Sequence, residues 1–174
     1  MARRLAIGML VALTALSAGA GAPAVAAEDP RDVLRPCRSS DLIGTWAMIR
    51  LGTAPSVRVG ADPAFYPYQR YAFSTDRSLR HLTAPAPVGP AEQKVLLSAP
   101  ATTTWTIDDA GRLLTRKTGA SAPEIDACQI LRAKVSDPRS PIPALPGDLL
   151  LTHYGQDGKP IARRLLRKMT GPGQ

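Results

Sequence analysis

The sequence predicts an all-β domain, a small antiparallel up-and-down barrel of eight or nine strands. The 174 residues fit one domain, and 44% apolar with 21% charged residues is typical of a globular protein. Seventeen prolines recur too often along the chain for long helices, which excludes a helical bundle and a coiled coil. Short segments rich in β-branched and aromatic residues alternate with turn sequences, and this pattern favours strands joined by hairpins.

Residues 1–27 have the pattern of a secretory signal peptide. Arg3 and Arg4 precede an apolar run over 5–20, and a stretch of small residues follows, with cleavage expected after Ala26 or Ala27. The apolar run is too short to cross a bilayer stably, so no integral membrane span is expected after cleavage. We therefore expect a periplasmic or secreted protein. Nucleic acid is not an expected partner of such a protein, although the formal net charge is +8.

The chain contains only two cysteines, Cys37 and Cys128, and both lie in the exported part. Disulfides persist outside the cytoplasm, and no other thiol competes, so we expect these two residues to pair. Neither cysteine has a second cysteine close in sequence, as a redox or metal site would need. The pattern predicts a structural disulfide, with no metal and no cofactor.

The mature chain divides into an N-terminal segment (28–40), a barrel domain (41–169) and a short tail (170–174). Within the first segment we expect one helical turn over 32–35. Residues 93–98 fit a strand or a single helical turn, and we expect a strand. Asp108 and Asp109, between two strands and before Gly111, are better explained as a turn than as a metal-binding pair. The predicted strands span 41–51, 65–73, 79–83, 93–98, 102–107, 112–117, 125–135, 148–154 and 161–169.

The first predicted strand opens with Gly44-Thr45-Trp46 after a short turn. This Gly-x-Trp resembles the signature of the lipocalins and the wider calycin group, here suggesting an envelope protein of bacteria. The middle motif of that family, a Thr-Asp followed by an aromatic residue, is missing. The resemblance implies that Trp46 closes one end of the barrel and that an arginine of the last strand packs over its ring. Arg163, Arg164 or Arg167 matches that arginine.

Aromatic side chains cluster around the second strand, and a barrel of this size can hold one small ligand. Tyrosines present a ring to an apolar ligand and a hydroxyl to a polar one. The alternative is that these rings fill the core and cover its mouth. The candidate ligand-binding residues are Tyr66, Tyr68, Tyr71 and Phe73.

His81 and His153 are the only histidines, and nothing in the sequence pairs them with each other. The common catalytic and phosphate-binding motifs are absent, so no catalytic residue is predicted. Our first hypothesis is a non-enzymatic exported barrel that binds a small apolar or amphipathic molecule. The second is a protein-interaction or inhibitor module of the envelope, with a filled interior and a basic C-terminal strand facing its partner. The third, an enzyme, requires a histidine beside a cavity together with a carboxylate or tyrosine.

Overall fold

The computed structural model describes residues 33–138 and 140–170. Nine strands, two short α-helices and one 3₁₀ helix make up this part of the chain. The helices are α1 (Ser39–Leu42), the 3₁₀ helix (Pro63–Phe65) and α2 (Pro90–Ser98). The strands are β1 (Leu34–Pro36), β2 (Gly44–Thr53), β3 (Tyr68–Phe73), β4 (Ser78–Ala84), β5 (Thr103–Ile107), β6 (Arg112–Lys117), β7 (Glu124–Leu131), β8 (Leu149–Tyr154) and β9 (Pro160–Lys168).

Eight of these strands form a closed antiparallel barrel. Each strand from β2 to β9 pairs with its neighbours in sequence, and β9 returns to pair with β2. The ninth strand, β1, lies outside this ring and pairs with β7. The predicted all-β class and up-and-down barrel are therefore confirmed, and the closed eight-stranded architecture is compatible with a calycin-like fold.

The interior of the barrel changes character along its axis. At the end where β2 begins, the inward side chains are large and apolar, and they form the main buried cluster with the disulfide. A β-bulge between Met48 and Arg50 shifts the register of β2 against β9. Fully buried members of the apolar cluster are Leu42, Trp46, Trp105, Leu113, Leu149, Leu151 and Leu166. We call this the closed end; the other end contains the polar site described below.

The predicted disulfide is confirmed and fastens the N-terminal segment to the barrel. Cys37 and Cys128 are both buried, with their Cα atoms 5.4 Å apart. The backbone N–H of Cys37 also donates to the carbonyl oxygen of Cys128, at 3.1 Å. Through this link β1 and α1 are held under the closed end. A buried disulfide fits a protein of an oxidising compartment.

The strand predicted over 93–98 is wrong, because these residues belong to α2. Pro90 is the first helical residue, where its fixed φ and missing N–H are tolerated, and the Glu92 carboxylate accepts a hydrogen bond from the backbone of Gly89. Leu96 is the buried residue of this helix, which contacts β3 and β4.

The helical turn predicted over 32–35 is also wrong for the residues described, since residues from Leu34 onward pair with β7 as strand β1. The first barrel strand begins at Gly44 rather than at residue 41, because Ser39–Leu42 form α1. The predicted signal peptide (1–27) and most of the predicted tail lie outside the described residues. Among the residues described, no helix has the length and apolarity needed to cross a bilayer.

Candidate functional site

The barrel contains a partly enclosed cavity of about 570 Å³ next to the apolar cluster of the closed end. Its floor is apolar and its wall is polar, and this division follows from the position of each residue along its strand. The floor is formed by Tyr71, Phe73, Leu79, Leu113 and Leu151. The wall and mouth are formed by Asp62, Phe65, His81, Thr83, Thr103, Thr115, Lys117, Glu124, Asp126, His153 and Arg164, together with Pro63 and Ala64.

The two aromatic residues of the floor pack in a defined geometry with each other and with Trp105. Tyr71 and Phe73 are two residues apart on β3, so both point inward, and their rings stack with centroids 6.2 Å apart. The ring of Trp105 meets that of Phe73 edge to face at 5.4 Å. These contacts separate the cavity from the closed end.

The 3₁₀ helix and the residues next to it cover part of the cavity mouth. The amide nitrogen of Gln69 donates to the carbonyl oxygens of Ala64 and Tyr66, at 3.1 and 3.0 Å. Gln69 is completely buried, and its amide oxygen accepts from the hydroxyl of Tyr71. This polar network fixes the covering segment to β3, because a buried amide left without partners is costly.

Arg164 links the same segment to the last strand. Its Nη2 donates to the carbonyl oxygen of Ala64 at 2.9 Å, and its guanidinium lies 5.9 Å from the centre of the Phe65 ring. Its Nε atom is buried and has no hydrogen-bond partner. No carboxylate of the described chain forms an ion pair with Arg164. The guanidinium therefore brings a positive charge without an ion-pair partner to the cavity wall.

His153 on β8 and Asp126 on β7 form a hydrogen-bonded pair in the same cavity. The two residues lie directly across from each other in the pairing of β7 with β8. Nδ1 of His153 is 2.9 Å from the Asp126 carboxylate, and the side chains are 36% and 15% exposed respectively. Near the rim, Lys117 forms an ion pair with Glu124 at 2.9 Å.

His81 stacks on the floor and is neutral at physiological pH. The centre of its ring lies 4.2 Å from that of the Tyr71 ring. Because His81 lines the cavity, its solvent-accessible surface lies inside the barrel. This enclosure lowers the pKa of His81, and the positive charges of Arg164 and Lys117 lower it further. Burial also raises the pKa of the Tyr71 hydroxyl, which remains protonated and donates to Gln69.

The structure separates the four predicted ligand-binding residues into two pairs. Tyr71 and Phe73 line the cavity. Tyr66 contributes its backbone carbonyl to Gln69, and Tyr68 begins β3 opposite Ala84. Neither Tyr66 nor Tyr68 belongs to the cavity lining. A role of these residues in binding stays a prediction.

Trp46 is buried at the closed end, as the Gly-x-Trp resemblance implies. It is 1% exposed, and its indole N–H donates to the carbonyl oxygen of Leu42 at 2.7 Å. The cation over its ring is the Lys168 ammonium, 5.4 Å from the ring centre, rather than one of the predicted arginines. Gly44 has a φ of +124°, a backbone conformation that residues with a side chain rarely adopt, which explains the glycine of the motif.

The three candidate arginines have other contacts. Arg164 faces the cavity, on the same side of β9 as Lys168 but farther from Trp46. Arg167 forms an ion pair with Asp148 at 2.7 Å and also donates to the carbonyl oxygen of Pro143. Arg163 is exposed on the outer face.

Sequence reasoning missed the polar wall of the cavity. Asp126, His153 and Arg164 come from three different strands, and no short motif joins them. The available signal was the alternation along each strand, which places these residues on the inner face only once the strand order is known. No three His, Cys, Asp or Glu side chains of the described chain are arranged to hold a metal ion.

Comparisons of this chain with protein-family models, with curated proteins and with solved structures find no match.

Proposed function

We propose that this protein binds a small amphipathic molecule in the barrel cavity. The observation that carries the proposal is the division of the lining into an apolar floor and a polar wall within one partly enclosed cavity of about 570 Å³. That volume lies within the range of about 300 to 1,000 Å³ that is common for small-molecule sites. A ligand would place its apolar part on the rings of Tyr71 and Phe73.

The polar end of the ligand is proposed to be an anion or another strong acceptor at Arg164. Arg164 lines the cavity, and no carboxylate of the described residues forms an ion pair with it. A carboxylate accepting from this guanidinium would form a charge-assisted hydrogen bond and would compensate the arginine charge. His81, which lines the same cavity and whose pKa is lowered by burial, adds no competing positive charge.

We also propose that the chain acts after export, as a lipocalin-like protein of the bacterial envelope. The signal-like residues 1–27, the Gly-x-Trp opening of β2, the closed barrel and the buried disulfide support this proposal.

The experiment compares three probes that share one alkyl chain: decanoate, decanol and decylamine. Isothermal titration of the mature protein should give the tightest binding for decanoate, by about 10-fold over decanol, as one charge-assisted hydrogen bond predicts. Arg164→Gln should remove this preference. Arg163→Gln, the same change on the exposed neighbour, is the matched control and should keep it.

A steric variant tests the location of the site. Thr115 lines the cavity, so Thr115→Trp should fill it and abolish binding of all three probes. If the wild-type protein binds none of them, the proposal is wrong, and the interaction module with its basic last strand becomes the favoured function.

A further inference from the structure

We propose that the His153–Asp126 pair hydrolyses a carboxylic ester held in the cavity, with water as the nucleophile. This activity rests on the proposed function, because the substrate must occupy the same cavity with its apolar part on the floor.

The pair has the arrangement of a general base and the group that orients it. Nδ1 of His153 lies 2.9 Å from the Asp126 carboxylate, and a neutral ring that donates Nδ1–H to this carboxylate carries its lone pair on Nε2. Nε2 has no partner within the described part of the chain. His153 lines the cavity and keeps 36% of its side chain exposed, so the base reaches both ligand and solvent.

Water is the nucleophile that the surroundings favour. The hydroxyl groups on the cavity wall belong to Thr83, Thr103 and Thr115, and none of these forms a hydrogen bond with either histidine in the described structure. The lysine at the rim, Lys117, is held in its ion pair with Glu124. A covalent intermediate on the protein would need one of these groups to be activated.

Arg164 supplies the donor for the oxygen that becomes negative. In the pairing of β8 with β9, Arg164 lies opposite Leu151, and His153 is the next inward residue along β8. The strand positions of such diagonal neighbours are about 7 to 8 Å apart, which places both side chains on the same part of the cavity wall. The Arg164 guanidinium lines the cavity and is held in place by the hydrogen bond from its Nη2 to the carbonyl oxygen of Ala64.

The reaction balances without any other reactant. The water oxygen bonds to the carbonyl carbon, one water proton moves to Nε2 of His153, and the π pair of the carbonyl moves to its oxygen beside Arg164. When that pair re-forms the carbonyl, the bond to the leaving alcohol breaks and the alkoxide takes the proton from Nε2. The products are a carboxylic acid and an alcohol, and His153 is again neutral.

The mature protein with p-nitrophenyl butyrate as the probe provides the test, with free imidazole at equal concentration as background. We expect saturable release of nitrophenol above that background. His153→Gln should lower kcat/KM by about 100-fold, the usual share of a general base. Asp126, a positioning residue, should act on kcat: Asp126→Asn should lower kcat by roughly 10-fold or more at unchanged KM.

The matched control is Asp109→Asn, in the exposed turn between β5 and β6, which should leave the rate unchanged. Decanoate binding shows that each variant is folded. If His153→Gln does not fold, the kcat of Asp126→Asn is the test of the proposal. A wild-type rate no higher than free imidazole, with decanoate still bound, overturns hydrolysis and leaves the proposed function standing. An unchanged hydrolysis rate in both His153→Gln and Asp126→Asn also overturns the assignment of hydrolysis to this pair. Failure of the wild type to bind decanoate removes both proposals together.

Discussion

The two ends of the barrel interior differ in chemistry although the same eight strands build both. At the closed end, Trp46 and Trp105 are each 1% exposed, and each ring lies near a cation, Lys168 at 5.4 Å and Arg77 at 4.7 Å. At the cavity end, inward positions of neighbouring strands carry histidines, carboxylates and an arginine. The closed end therefore stabilises the fold through buried apolar side chains. The cavity end buries fewer apolar side chains and instead presents polar groups to a ligand.

The two ends of the barrel are also held together by different interactions. The closed end combines dense apolar packing with a covalent link, whereas the cover of the cavity depends on hydrogen bonds from Gln69 and Arg164. Substitutions at the closed end should mainly change the free energy of unfolding. Substitutions at the cavity end should mainly change binding.

The largest expected effect comes from Trp46→Ala. Removing this buried ring should lower the free energy of unfolding by about 3 to 5 kcal/mol, as large core truncations do, while decanoate binding by the folded protein is kept. Chemical denaturation measures the change. Tyr154→Ala, at an aromatic residue that is 45% exposed, should cost less than about 0.5 kcal/mol. Equal losses in the free energy of unfolding for both variants would contradict the stabilising role of the buried Trp46.

Next in size is the loss of the disulfide. Replacing both Cys37 and Cys128 by serine should cost about 2 to 4 kcal/mol, because the bond closes a loop with a sequence separation of 91 residues. Denaturation of the wild type with a reducing agent should give the same value as the double variant. A thiol titration that finds reactive cysteines in the folded, unreduced protein would refute the pairing.

Gln69→Leu addresses the cavity end. It removes the donors to Ala64 and Tyr66 and the acceptor for Tyr71, so we expect a loss of about 1 to 3 kcal/mol and faster release of bound decanoate. Stopped-flow displacement measures the release rate. Gln129→Leu, at a half-buried glutamine whose side chain forms no hydrogen bond in the described structure, should change neither quantity appreciably.

The smallest expected effect is a pH dependence at the closed end. The hydrogen bond from Arg35, at 2.7 Å, and the one from the Arg38 backbone hold the pKa of Asp41 below its usual range. The folded state thus prefers the ionised carboxylate, so its contribution is complete above about pH 4 and is lost as the pH falls further. Asp41→Asn should reduce the drop in Tm between pH 7 and pH 3. An identical drop in both proteins would exclude this role.

Much of the fold could be predicted because its signals are local. The turn at Asp108 shows this, since its carboxylate accepts from the backbone N–H groups of Ala110 and Arg112, as turn chemistry requires. The strand predicted over residues 93–98 is wrong because a six-residue window with three consecutive apolar residues does not separate the period of a strand from that of a helix. The helix start at Gly89, Pro90 and Glu92 was the better indicator.

The site was less predictable because it depends on register. The clustering of aromatic residues in the sequence indicates Tyr71 and Phe73, which line the cavity, but Asp126 and His153 become neighbours only when β7 and β8 are aligned. Register also explains the cation over Trp46. Lys168 is the residue paired directly with Trp46, and the sequence does not show where on β2 the last strand ends.

The pairing of β2 with β9 has a consequence for the kinetics of folding. It joins the first and last strands of the barrel, with Trp46 opposite Lys168 and Thr53 opposite Ala162. Contacts between such distant parts of the chain slow folding, and we expect refolding in the range of about milliseconds to seconds. The barrel also cannot close before its last strand has been synthesised. A chain that ends before Pro160 would leave β2 and β8 with open edges, and such edges promote aggregation.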